Sequence, residues 1–151
     1  MFLLYKVVHN HTATRILFSD PGILSIGDIA VTSTSLCLTA TRKDGRAVIL
    51  ELSLIEEEDL DVEDDGEEEV ADKLSSFKQI VDLTELGASS GAPGSLTCTE
   101  NGRFFVSVGS EVWMLDDNRM LGKLAIPEPV TALELGGDSY LYIATASNLF
   151  R

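Results

Sequence analysis

The densest set of chemically capable side chains is Asp61-Val62-Glu63-Asp64-Asp65-Gly66-Glu67-Glu68-Glu69-Val70-Ala71-Asp72. It places acids at positions 1, 3, 5, 9 and 12 of a twelve-residue loop and glycine at position 6, the ligand spacing of a calcium-binding loop. Against calcium stand Glu68 where such loops carry an apolar residue, the short reach of Asp72 at the last position, and the lack of a second copy. Glu56 to Glu69 holds 11 acids in 14 residues, and a run this acidic meets such a template without being built for it. Mutual repulsion among the carboxylates favours a solvated, extended insertion over residues 56–73. Its carboxylates, Glu56, Glu57, Glu58, Asp59, Asp61, Glu63, Asp64, Asp65, Glu67, Glu68 and Glu69, are the expected contact residues for a basic protein partner. Weak calcium binding by a regulatory acidic loop is the alternative use.

The other candidates carry less chemistry. His9 and His11 fall on one face of a strand, as two metal ligands would, but no third ligand accompanies them and the chain has no other histidine to act as a base. Nucleophilic catalysis by serine or cysteine therefore lacks its usual partner. Cys37 and Cys98 lie in apolar, Thr-rich runs without a CxxC pair and are expected as buried, reduced thiols. Gly87 to Ser95 is glycine-rich but has no Gly-Lys-Ser/Thr, so it is a connection and not a phosphate loop. Asp116 and Asp117 precede Asn118 in a turn, where turn formation accounts for them. No catalytic residue, metal site or cofactor is implied.

The elements that position these residues are short. Runs rich in Val, Ile, Leu, Thr, Phe and Tyr, bounded by Gly, Asp, Asn, Ser or Pro, predict strands. They cover Leu3 to His9, Thr14 to Phe18, Ile29 to Ser33, Ser35 to Thr41, Ala47 to Leu54, Gln79 to Leu83, Ser95 to Thr99, Phe104 to Gly109, Glu111 to Leu115, Leu121 to Ala125, Val130 to Leu135, Tyr140 to Ala144 and Asn148 to Arg151. Val70 to Leu86 fits either a helix face or alternation. Lys43-Asp44-Gly45, Glu100-Asn101-Gly102 and Gly136-Gly137-Asp138 supply hairpin turns, and the gaps are too short for crossover helices, so the sheets are antiparallel.

At an offset of 37 residues the chain matches itself: Leu96, Cys98, Asn101, Phe104, Phe105, Val106, Val112 and Trp113 fall on Leu133, Leu135, Asp138, Leu141, Tyr142, Ile143, Leu149 and Phe150. Ser35 to Thr41 followed by Ala47 to Leu54 forms a looser third copy. A unit of four short strands at this period is the pattern of a β-propeller blade, whose apolar faces are covered only by its neighbours. The expected fold is all-β: about three antiparallel four-stranded blades over residues 1–151, with the acidic insertion inside the first.

Gly109-Ser110-Glu111-Val112-Trp113-Met114-Leu115-Asp116-Asp117, then Gly122-Lys123-Leu124, then Val130-Thr131-Ala132-Leu133, resembles consecutive strands of WD40-like repeats. The resemblance covers Ser35 to Leu54 and Ser95 to Arg151 and is faintly similar to the N-terminal propellers of large kinetochore-type scaffold proteins. The Gly-His pair is absent and Trp113 is followed by Met114, so the family's Trp-Asp hydrogen-bond network is not carried over. The resemblance implies a non-enzymatic protein-interaction scaffold, a propeller portion completed by further blades or a partner chain. An enzyme on a propeller or sandwich is the rival.

The formal charge of −14 disfavours nucleic acid, which recruits clustered Lys and Arg. Outside the acidic run 14 acids face 11 bases, an ordinary balanced surface. Met1 to Val8 lacks a basic leader and reads as a strand, and no stretch approaches the roughly 18 apolar residues of a membrane helix. A soluble, intracellular protein, cytoplasmic or nuclear, is expected.

Overall fold

The computed structural model describes residues 2–7, 13–18, 20–54, 77–89 and 93–151, the first two segments as backbone only. Every regular element among them is a strand. β1 (Phe2–Val7) and β2 (Ala13–Phe18) form an antiparallel hairpin. Blade 1 is β3 (Ile23–Val31), β4 (Ser35–Arg42), β5 (Ala47–Ser53) and β6 (Lys78–Asp82), paired in chain order. Blade 2 repeats this with β7 (Leu96–Cys98), β8 (Arg103–Val108), β9 (Glu111–Asp116) and β10 (Arg119–Ala125). Blade 3 has three strands among the described residues: β11 (Val130–Leu135), β12 (Leu141–Thr145) and β13 (Leu149–Phe150). β13 pairs with β12 and not with β1, so the sheets do not close into a barrel.

The expected repeat holds at the level of single pairs. Leu96, Thr97 and Cys98 face Val106, Phe105 and Phe104 across β7 and β8, and Leu133, Glu134 and Leu135 face Ile143, Tyr142 and Leu141 across β11 and β12. Each pair is the other moved by 37 residues. Alternation then sends successive side chains to different neighbours. From β8, Phe104 and Val106 join Cys37, Ile49, Val81 and Leu83 in the core between blades 1 and 2. Phe105, from the opposite face, joins Leu133 and Ile143 in the core between blades 2 and 3.

The first strand of blade 1 departs from expectation: it runs from Ile23 to Val31, where the sequence predicts Ile29 to Ser33. Gly27 and Asp28 look like breakers but lie inside it, with the register shifting between Ile26 and Ile29. The backbone amide of Asp28 donates to the Thr39 hydroxyl at 2.8 Å, and that hydroxyl occupies the space a Cβ on Gly27 would need. Blade 2 repeats the device, with the Ser95 amide donating to Ser107 Oγ at 2.8 Å and the Ser107 hydroxyl filling the space over Gly94. In blade 3 the corresponding residues are Thr131 and Ala144: the Cβ returns where the hydroxyl is gone. Gly94→Ala should therefore cost about 1–3 kcal/mol through overpacking, whereas Gly94→Ala with Ser107→Ala should cost clearly less than the sum of the two single changes. Urea unfolding of the four proteins measures that coupling, and strict additivity would contradict it.

The segment with mixed helical character resolves as strand where it is described: residues 78–82 form β6, and residues 70–76 lie outside the described segments.

Candidate functional site

The blades approach one another through their first strands, β3, β7 and β11. The far ends of these strands line a cavity of about 500 Å³ in which Ile29 and Val31 of blade 1 share the wall with Thr97 and Glu100 of blade 2 and Glu134 of blade 3. No local motif joins these residues, which come together because three copies of one strand are stacked side by side.

A chain of side-chain bonds sets their spacing. Asp28 Oδ2 accepts from the Ser95 hydroxyl at 2.7 Å and from the Leu96 amide at 2.9 Å, and Asp28 Oδ1 accepts from the Ile29 amide at 2.9 Å. Ser95 Oγ in turn accepts from the Leu133 amide at 3.0 Å. In blades 1 and 2, one polar side chain thus holds the first strand of the next blade. Burial alone would raise the Asp28 pKa; the bonds from Leu96, Ser95 and Ile29 outweigh it and hold the carboxyl below its ordinary 3.8.

At the cavity mouth the two oxygens of Glu100 receive the Ser33 amide at 3.1 and 3.2 Å and the Ser33 hydroxyl at 2.6 Å. These bonds, hydroxyl first, lower the Glu100 pKa below 4.5, so the mouth keeps a fixed negative charge near neutrality. Glu134 differs: it is exposed and has no hydrogen bond or ion pair among the described residues. The Cys98 thiol sits in the same wall, and its pKa is raised by burial, then by the Glu100 and Glu51 carboxylates. Cys37, across the blade 1 to blade 2 junction, is pushed up to about 12, chiefly by burial. Both thiols are free; Cys37 is buried as expected, whereas Cys98 is only half-buried, and as protonated thiols near neutrality neither is a ready nucleophile.

The residues singled out from the sequence fall elsewhere or outside the described segments. Glu56 to Glu69 belongs to the stretch connecting β5 and β6, and that run, with Asp72, lies outside the described residues, as do His9 and His11. Asp117 and Asn118 form the tight turn between β9 and β10, Asp117 taking a φ of 50°, while Asp116 ends β9 and reaches Arg119 at 3.9 Å. Trp113 is buried between blades 1 and 2. Among the described residues, no three His, Cys, Asp or Glu side chains converge on a point where a metal ion could be held, and no helix is long and apolar enough to cross a membrane.

The latch and the cavity carboxylates went unrecognised in the sequence. A signal for the latch exists in the triplets Gly27-Asp28-Ile29 and Gly94-Ser95-Leu96, glycine then polar then apolar, at corresponding points of two blades. Glu100 and Glu134 carry none, being isolated acids 34 residues apart.

No family model matches the chain, and no curated protein matches it. Solved structures do, among them a gluconolactonase from Xanthomonas campestris, with a TM-score of 0.64 at 15% identity over 96% of this chain. The chain spans 42% of that enzyme's length. At this identity the likeness establishes shared architecture, antiparallel β-sheets arranged as in that enzyme. It also corrects the expectation of a non-enzymatic scaffold: a solved structure with this arrangement is an enzyme, so absence of catalysis does not follow from the blade pattern.

Proposed function

We propose that the cavity between β3, β7 and β11 is part of a hydrolytic site that opens small cyclic esters, in the manner the name of the gluconolactonase implies for that enzyme. The observation that carries this is Glu134, an exposed carboxylate without a partner among the described residues, standing in a cavity of about 500 Å³ whose mouth is kept anionic by Glu100. A carboxylate is a competent general base. It takes a proton from water as the oxygen attacks the ring carbonyl; the acyl–oxygen bond breaks, and the proton passes to the leaving alkoxide to give the open hydroxy acid. Glu100, already committed to Ser33, orients and does not react. The likeness of Gly109 to Leu133 to WD40-type strands concerns packing and adds no reactive group.

The test is a pH-stat assay with an aldonolactone near neutral pH, where release of acid above the buffer blank is expected. Glu134→Gln should lower that rate by about 100-fold or more, the scale of a lost general base, while leaving the unfolding midpoint unchanged because the residue is exposed. A parent protein no faster than the blank, or a Glu134→Gln variant as fast as the parent, would reject the assignment.

A further inference from the structure

The two cysteines meet at one seam of the fold, although 61 residues separate them in the chain. Two latches lay β7 beside β3: Ser95 donates to Asp28 and Ser33 donates to Glu100, each pair 67 residues apart. The chain from Ser95 to Glu100 therefore runs alongside Asp28 to Ser33, which puts Cys98 next to Ala30 and Val31. Ala30 is the partner of Cys37 across β3 and β4. Cys37, 2% exposed, belongs to the core between blades 1 and 2, and half-buried Cys98 packs against that same core from blade 2.

A second cavity, of about 90 Å³, opens where they meet, and Cys37 and Cys98 share its wall with Ser35, Glu51, Glu100 and Phe104. It lies between two sheets that each have all four strands, so neither thiol stands at an uncovered edge of the described chain. After burial, the neighbour that raises the Cys37 pKa most is Cys98 itself. At about 30 Å³ of liquid volume per water molecule, such a cavity admits reagents not much larger than water and no peptide. From this arrangement we propose that Cys37 and Cys98 are a peroxide-sensitive pair that closes to a disulfide between blades 1 and 2. Half-buried Cys98 reacts first: its sulfur attacks one oxygen of hydrogen peroxide, the O–O bond breaks, and the departing hydroxide takes the thiol proton as water, leaving a sulfenic acid. The Cys37 sulfur then attacks that of Cys98; the S–O bond breaks, the S–S bond forms, and the hydroxyl leaves with the Cys37 proton as a second water. One peroxide thus accepts the two electrons and two protons that the thiols give up. Burial, with Glu100 and Glu51 adding to it, holds the Cys98 thiol above its ordinary 9.0, so the first step is slow near neutrality.

Peptide mapping without reductant, after the parent has been treated with hydrogen peroxide in mildly alkaline buffer, tests this with no lactone present, so its outcome and that of the hydrolysis assay are independent. The chain should lose the mass of two hydrogens, and both thiols should disappear from titration of the denatured protein. The peptides carrying Cys37 and Cys98 should emerge joined from a species of one chain, 16.3 kDa. Dithiothreitol should restore both thiols. In Cys37→Ala, Cys98 should instead gain oxygen, since no second thiol reaches its sulfenic acid. In Cys98→Ala, Cys37 should oxidise at least about 10-fold more slowly than in the parent, since burial keeps it from peroxide. Two titratable thiols surviving in the parent, oxygen gained at Cys98 with Cys37 still reduced, a bridge found only between two chains, or a Cys37 that oxidises as fast without Cys98 would overturn the proposal. The map of the parent decides the matter even where a variant fails to fold.

Discussion

Asp28→Ala lowers the unfolding free energy by about 3 kcal/mol, and with it the midpoint of thermal unfolding by about 6–12 °C for a chain of this size. The size follows from what one carboxylate holds. Ser95 Oγ, Leu96 N and Ile29 N all donate to it, at 2.7, 2.9 and 2.9 Å, across the seam between blades 1 and 2. Bonds to an ionised acceptor are about twice as strong as neutral ones, and removing the acceptor strands two backbone amides at once. The site is half-buried, so water recovers part of the loss and the three contributions do not simply sum. Asp28→Asn retains one acceptor oxygen and should lose roughly half as much. Ser95→Ala removes the next link in the same chain, since Ser95 Oγ also receives the Leu133 amide, and the Asp28→Ala, Ser95→Ala double variant should lose less than the two singles together.

The same carboxylate predicts a pH signature. Its folded pKa is depressed below 3.8, so its stabilisation is present above the unfolded value and is lost as pH falls through the folded one. The gap between parent and Asp28→Ala should therefore be constant from neutrality down to about pH 5 and shrink in more acidic buffer. A gap of less than 1 kcal/mol at neutral pH, or one that widens in acid, would show that the latch does not couple the blades.

What could be read in advance was whatever period and turn chemistry encode. Each of the thirteen described strands overlaps a predicted one, although the pattern around β6 fitted a helix as well, because alternation between two covered faces leaves a period of two and because hairpin turns announce themselves: Gly45 and Gly102, with φ of 86° and 80°, stand at the ends of the Lys43 and Glu100 turns. The offset of 37 residues proved to be a register, residue for residue, between β7–β8 and β11–β12. The first strand of blade 1 was cut short for a physical reason. Gly27 and Asp28 have the composition of a turn, yet Gly27 is required by the hydroxyl of Thr39 and Asp28 by the amide of Leu96, both supplied by distant chain. The cavity residues were invisible for a related reason. Glu100 and Glu134 share a wall only because blade 3 stacks on blade 2, and sequence spacing carries no trace of which blades meet at the cavity. Local pattern specified the blades; the contacts between blades, where the candidate chemistry lies, depend on side chains brought together from separate units.

That division gives the second large effect. Trp113→Ala should cost about 3–5 kcal/mol in urea unfolding, a large share of the 5–15 kcal/mol typical of a domain. Trp113 is the largest fully buried side chain, 1% exposed, and from β9 it fills the junction between blades 1 and 2 with Ala30, Ile49, Leu83, Leu96 and Val106. Truncation leaves a void that strands paired on both sides cannot collapse to fill, and it also removes the bond from the indole Nε1 to Glu111 Oε2 at 2.8 Å and the ring beneath Lys123 Nζ, 4.0 Å from its centroid. Those two polar contacts lie toward solvent and contribute little beside the lost packing. Trp113→Phe keeps an aromatic plug without the donor and should cost only about 1–2 kcal/mol. Because Trp113 and Asp28 clamp the same seam from different sides, combining Trp113→Ala with Asp28→Ala should fall short of additivity: once the core between the blades is hollow, the latch has less rigid structure to hold. A Trp113→Ala variant within 1 kcal/mol of the parent would mean that blades 1 and 2 are not joined through this core, and the stacking that brings Glu100 and Glu134 to one cavity would lose its support.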